Sequence, residues 1–153
     1  METKEFLRRA LGEDGFYCVF ASRSSDDRRV QKFYDSIDTL LQTTQKLDRD
    51  GFDTYFALAT FTETGSRKVD NVKQLRTFFL DLDCGPSKDY QNQDEAIRAL
   101  RSFCKQLSLP KPLLINSGRG IHVYWFLTQP VDLKDWLPVA EHIKRLCSKY
   151  NLL

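Results

Sequence analysis

The run Arg76-Thr77-Phe78-Phe79-Leu80-Asp81-Leu82-Asp83, closed by Cys84-Gly85-Pro86, restricts the fold more than any other stretch of the chain. Side chains alternate between the two faces of a strand. Asp81 and Asp83 therefore point the same way, roughly 7 Å apart, while Phe78, Leu80 and Leu82 take the opposite face. Such a strand offers one face to a core and delivers two carboxylates at its end. Two like charges ending an apolar run are costly unless a positive charge neutralises them. A divalent cation meets that need, and carboxylate oxygens suit Mg²⁺ or Mn²⁺. In the plainer reading Asp83 opens the Gly-Pro turn and Asp81 is a solvated edge residue.

The rest of the chain alternates helical and strand patterns around this segment. Residues 2–11 read as a short amphipathic helix stopped by Gly12, and 15–21 (GFYCVFA) as a strand. A polar loop over 22–29 carries Arg23, Arg28 and Arg29, which face either a phosphate-bearing partner or solvent. Val30 to Tyr34 is compatible with a second strand. Ile37, Leu40, Leu41, Thr44 and Leu47 predict a helix from Asp35 or Ser36 to Gly51. Residues 52–61 (FDTYFALATF) form a strong strand pattern, and 62–71 a polar connection. Beyond the opening strand, Ala96, Leu100, Phe103 and Leu107 set a helix over 93–107 that Pro110 and Pro112 end. Strands follow at 113–116 and 121–127, joined by Ser117-Gly118-Arg119-Gly120. Asp132 caps a last helix with Trp136, Leu137, Ala140, Ile143 and Leu146 on its inner face. This order predicts an α+β fold, with helices packed on a mixed or antiparallel sheet, in a single domain over 1–153. Residues 76–149 have the order of a split β-α-β half with an appended hairpin.

Composition narrows the classes. A chain of 153 residues with 11 Phe can fill one core, and a net charge of +2 means that any basic surface must be local. No apolar run is long enough to span a bilayer and the N-terminus lacks a signal-peptide pattern, so no membrane partner is expected. Cys18, Cys84, Cys104 and Cys147 are scattered without a CxxC pair. That argues against zinc and for reduced thiols in the cytoplasm, with a disulfide left open by spacing alone.

A second constellation joins the last two strands. In Ser117-Gly118-Arg119-Gly120-Ile121-His122 the glycines permit positive φ and close approach of a ligand to the main chain. Backbone N–H groups in such a turn can cradle phosphate. Ser117 offers a hydroxyl, Arg119 a bidentate donor and His122 a further donor. A hairpin also needs glycines for itself, and a histidine at a strand start can be structural. Two carboxylates for a metal beside Ser, Arg and His for a triphosphate compose a site for phosphoryl chemistry, which works by positioning and charge neutralisation.

Together, FFLDLD and INSGRGIHVYW resemble the archaeo-eukaryotic primase (AEP) superfamily, the primase-polymerase (PrimPol) catalytic domains of phages and plasmids in particular. The first motif of that family, an hhhDhD strand, is matched by Phe79 to Asp83, and its SGxGxH motif by Ser117, Gly118, Gly120 and His122. The upstream YFALATF and the spacing from Asn71 are similar to the phage branch, and the resemblance spans about residues 52–150. It implies an N-terminal α/β module combined with an RRM-like module, and template-directed nucleotidyl transfer in DNA replication. Asp81 and Asp83 would hold the catalytic Mg²⁺ or Mn²⁺. Ser117, Gly118, Arg119, Gly120 and His122 would bind the (d)NTP, with His122 counted among the catalytic groups. A single-stranded DNA template and a helicase, as a further domain or a separate protein, are the implied partners. The family's third acidic motif, on a later strand, would fall beyond Leu153, so the expectation is a domain incomplete at its C-terminus. Val131-Asp132 has the local pattern but sits early and reads as a helix cap.

Two rival readings remain. A HAD-type phosphatase also begins with a strand ending in DxD and follows it with an apolar strand ending in Ser, as in Leu113 to Ser117. Its first motif continues Asp-Gly-Thr rather than Cys-Gly-Pro, and it leaves His122 without a role. A non-catalytic RRM-like module would stack single strands on Tyr124, Phe126 or Phe79, which can equally be core.

Overall fold

In the computed structural model, described over residues 1–152, the elements follow the predicted order. They are α1 (Thr3–Ala10), β1 (Phe16–Arg23), β2 (Arg28–Tyr34), α2 (Ile37–Arg49), β3 (Asp53–Phe61), β4 (Val72–Asp83), α3 (Gln93–Gln106), β5 (Leu113–Asn116), β6 (Gly120–Val131) and α4 (Leu133–Lys149). The strands hydrogen bond in the order β2-β1-β3-β4-β6-β5. The pairs β1–β2, β1–β3, β3–β4 and β5–β6 are antiparallel. The fold is α+β, as the periodicities require. Leu153, the last residue of the expected domain, lies outside the described residues.

The chain forms two compact units, one of residues 1–76 with 128–136, the other of 77–127 with 137 onward. In the first, Ser36 caps α2 by accepting from the Asp38 and Thr39 N–H groups. The ring of Phe6 on α1 meets Phe56 edge-on at 5.9 Å, on the sheet face where Leu7 and Leu40 are buried. The other face holds a cluster of Cys18, Ala59, Phe61 and Leu75, against which Phe33, Leu133 and Trp136 pack. In the second unit the strands contribute Leu80, Leu82, Ile121 and Val123 to the core, and α3 contributes Ala96, Leu100 and Phe103. Trp125 donates its indole N–H to the Pro110 carbonyl at 2.8 Å.

Departures from the expected boundaries and faces have physical reasons. Val30 to Tyr34, compatible with a strand in the sequence, is one, and the ladder with β1, unbroken from Tyr17↔Tyr34 to Arg23↔Arg28, extends it into residues read as polar loop. β4 begins at Val72, since pairing with β3 (Ala59↔Leu75, Phe61↔Val72) draws its polar half into the ladder. On α4, Leu137 was expected inside but is 42% exposed. The inner stripe runs instead through Leu133, Trp136, Ala140, Ile143, Leu146 and Cys147, and Leu137 lies about 100° around the helix from Trp136.

Candidate active site

The two carboxylates, the Ser117–Gly120 turn and His122 all lie in the second unit, on β4, β6 and the hairpin before β6. The alternation on β4 is as expected: Leu80 and Leu82 are buried, while the Asp81 and Asp83 side chains are 48% and 55% exposed. On β6, His122 places Nε2 3.7 Å from Asp81 Oδ1. Its ring meets Phe79 edge-on at 5.5 Å, and Phe79 lies 5.1 Å from Tyr124. The Tyr124 hydroxyl is 3.5 Å from His122 Nδ1. Burial raises the pKa of Tyr124, and the charge of Asp81 adds to the effect. His122 is thus held between an aromatic wall and a carboxylate.

The hairpin is fastened to the end of β4 by its main chain. Cys84 donates its N–H to the Arg119 carbonyl at 2.9 Å, and Ser117 N–H donates across the turn to Gly120 at 3.1 Å. Gly118 has φ +89° and open space around it, so the turn itself demands that glycine. Gly120 does not have positive φ. A Cβ there would collide with the Leu82 carbonyl oxygen and lie 3.2 Å from Asp83 Cα. What approaches Gly120 is the carboxylate-bearing strand.

Three residues of this site carried no recognised signal in the sequence. Asn116 Oδ1 accepts from the Gly118 N–H at 2.7 Å and from Gln93 Nε2 at 2.8 Å, and Gln93 also reaches the Gly120 carbonyl at 3.3 Å. The first residue of α3 therefore ties the hairpin down. The Asn-x-Gly spacing of an Asx turn could have marked Asn116; nothing local could have marked Gln93. The third is Lys88, whose Nζ is 2.7 Å from Asp83 Oδ2. The hydrogen bond to Asp83 raises the Lys88 pKa. Lys88 sits in a turn closed by its own N–H to the Gly85 carbonyl at 3.1 Å, and Gly85 N–H donates to Tyr90 at 2.8 Å.

Between that turn, the start of α3 and the hairpin lies an open cleft of about 550 Å³, lined by Cys84, Gly85, Gln91, Asn92, Gln93, Asp94, Gly118 and Arg119. Ser117 and Arg119 are exposed. The cleft is half polar in character and open to solvent, the kind of surface an extended anion can enter beside the N-terminal end of a helix.

Asp81 and Asp83 fit Mg²⁺ or Mn²⁺ by donor type: two carboxylates on one exposed face, with phosphate oxygens and water left to complete the shell, the usual arrangement for Mg²⁺ at a nucleotide. Among the described residues no three His, Cys, Asp or Glu side chains gather closely enough to hold a metal between them. Asp132, the early Val-Asp pattern, directly precedes α4. Its carbonyl accepts from the Asp135 and Trp136 N–H groups and its carboxylate lies 3.8 Å from Lys134. The four cysteines are free. No described helix is long and apolar enough to cross a membrane.

The basic residues scattered through the first unit separate onto different surfaces. Arg23 lies 4.5 Å from the Phe52 ring and pairs with Asp26 at 2.6 Å; Arg28 lies 6.0 Å from the same ring. Arg67 covers Phe20 at 4.8 Å, and Lys73 is tied to Asp14 at 2.7 Å.

No protein-family model matches the chain. A curated relative, a protein of Clostridium perfringens called "Replication protein", is 31% identical over 100 residues, which are 63% of this chain. The chain spans only 24% of that relative's length. Among solved structures, the AEP domain of the cyanophage S-2L primase-polymerase superposes with a TM-score of 0.60 at 17% identity, covering 88% of this chain and 65% of that one. The chain therefore has an α+β fold similar to that of an archaeo-eukaryotic primase domain.

Proposed function

We propose that this chain is the nucleotide-binding and catalytic core of a replication primase-polymerase. The observation that carries the reading is the seat of Gly120 on the Leu82–Asp83 main chain, which brings the hairpin of Ser117 and Arg119, and His122 after it, beside Asp81 and Asp83. The likeness in fold to a primase-polymerase domain and the relative named for replication support it.

In the reaction proposed, a 3′-hydroxyl gives up its proton to solvent and attacks the α-phosphorus of a (d)NTP; a new P–O bond forms as the bond from the α-phosphorus to the bridging oxygen breaks and pyrophosphate departs. Asp81 and Asp83 would hold Mg²⁺ or Mn²⁺, which supplies charge neutralisation at the phosphates. Arg119 presents a planar fork of donors to the triphosphate, Ser117 a hydroxyl, and Gly118 leaves the main chain accessible. His122 donates to a phosphate oxygen from its place against Asp81. Single-stranded DNA is the proposed template, and a helicase in the same protein or beside it would supply that strand.

Calorimetry with nucleoside triphosphate tests the reading. Affinity should rise with Mn²⁺, and Asp81→Asn should abolish the metal-dependent part. Arg119→Ala and His122→Ala should weaken triphosphate more than nucleoside. Equal affinity with and without metal would overturn the assignment. A second reading, a non-catalytic binder of single strands, is favoured by Phe79, 37% exposed beside Tyr124. It predicts strand binding lost in Phe79→Ala, with nucleotide affinity indifferent to metal.

A further inference from the structure

We infer that the sheet face bearing Phe20, Gln31 and Tyr55, overhung by Arg67, is a platform for single-stranded nucleic acid formed within the first unit. The register places Phe20 opposite both Gln31 on β2 and Tyr55 on β3. Tyr55 is 56% exposed, and only Phe79 joins it as a strongly exposed aromatic among the described residues. Its ring lies 6.1 Å from that of Phe20. The Arg67 guanidinium covers Phe20 at 4.8 Å, its Nε donating to Gln31 Oε1 at 2.7 Å, while Gln31 Nε2 reaches the Gly65 carbonyl at 3.4 Å. The loop that carries Arg67 is thus fixed over the sheet. A guanidinium anchored through Nε in this way leaves its other N–H donors for phosphate, and its plane can stack on a base. Arg29 stands two residues from Gln31 on the same face of β2; its side chain is 73% exposed, with only a loose 3.9 Å approach to Asp27. Asp53, opposite Ser22, is the one carboxylate at these paired positions.

An exposed tyrosine ring beside guanidinium groups matches unpaired bases and phosphates, since every base has a π-face and a duplex hides it. The platform stands independently of the nucleotidyl-transfer reading; if both hold, it carries the template.

Fluorescence anisotropy with a labelled oligothymidylate in EDTA tests it. Tyr55→Ala should weaken binding roughly tenfold and Tyr55→Phe should not. Arg67→Ala should make the slope of log K against log salt shallower by about 0.7 for one lost phosphate contact. Tyr55 is exposed, so its variants should melt as wild type does, and they should keep metal-dependent nucleotide binding. Wild-type strand affinity in both Tyr55→Ala and Arg67→Ala would overturn the inference. So would equal binding of a duplex of the same length, which would mark a purely electrostatic surface.

Discussion

Gly120 shows how one residue can set a site. It keeps an ordinary backbone conformation, and its missing side chain is the space filled by the Leu82 carbonyl. Gly120→Ala should therefore push the hairpin off β4, costing about 1–3 kcal/mol in urea unfolding and weakening triphosphate binding beyond that stability loss. Gly118→Ala meets nothing but strains φ, so it should cost about 1 kcal/mol with little change in the β4 contact. If the two variants behaved alike, the close approach at Gly120 would not matter. Lys88 acts in the opposite sense. It occupies Asp83 at 2.7 Å, where a metal would compete with it. Exposed ion pairs of this kind are weak, so Lys88→Ala should raise Mn²⁺ affinity without nucleotide by only a few-fold. Mn²⁺ titration followed by electron paramagnetic resonance would read this, and an unchanged affinity would show that Lys88 leaves Asp83 free. Asp81 and Asp83 were legible because strand alternation is a local rule. Lys88 was not, because its approach depends on the turn made by residues 84–90.

At the scale of elements, caps and ladders do the work that apolar periodicity cannot. Asn92 accepts from Glu95 N–H at 3.0 Å and Glu95 accepts from Gln91 N–H at 2.8 Å, two bonds that start α3 where it can hold the hairpin through Gln93. Asn92→Ala should cost about 1 kcal/mol of stability. It should also speed amide exchange at Gly118, whose N–H is held by Asn116 and, behind it, Gln93. Protection at Gly118 unchanged by the substitution would separate the cap from the hairpin. The helices and four of the strands were legible in the sequence because their apolar residues recur at 3.6 or 2 residues. The polar half of β4 and the Arg28–Arg29 start of β2 were not, because those residues are strand by virtue of their neighbours. α4 gives the converse case: Leu137 is apolar but lies off the buried stripe, so composition alone misplaces it.

For the molecule as a whole, buried titratable groups make stability depend on alkaline pH. Burial pushes the Cys18 thiol up from its ordinary 9.0 to about 11, against the opposing charge of Arg67. The unfolded chain gives up that proton first, so the stability it contributes is intact below pH 9 and lost as pH rises to about 11. By pH 10.5 the loss should be on the order of 2 kcal/mol, and the buried tyrosines Tyr17, Tyr90 and Tyr124, whose pKa values are also raised, act in the same direction. Urea unfolding across this window should show the decline, and Cys18→Ala should flatten its lower part; stability level from pH 8 to 10.5 would refute it. Read alone, the sequence determined the element order, the α+β class and the two motifs, since each rests on spacing within a few residues. Only the tertiary structure decided that Gly120 rests on the carboxylate strand, that Lys88 holds Asp83, and that Arg67 shares a face with Tyr55 while Arg23 and Arg28 turn to Phe52. Apart from Lys88, which reaches Asp83 through the turn between them, those pairings join residues far apart along the chain, and strand pairing across the sheet sets which of them meet.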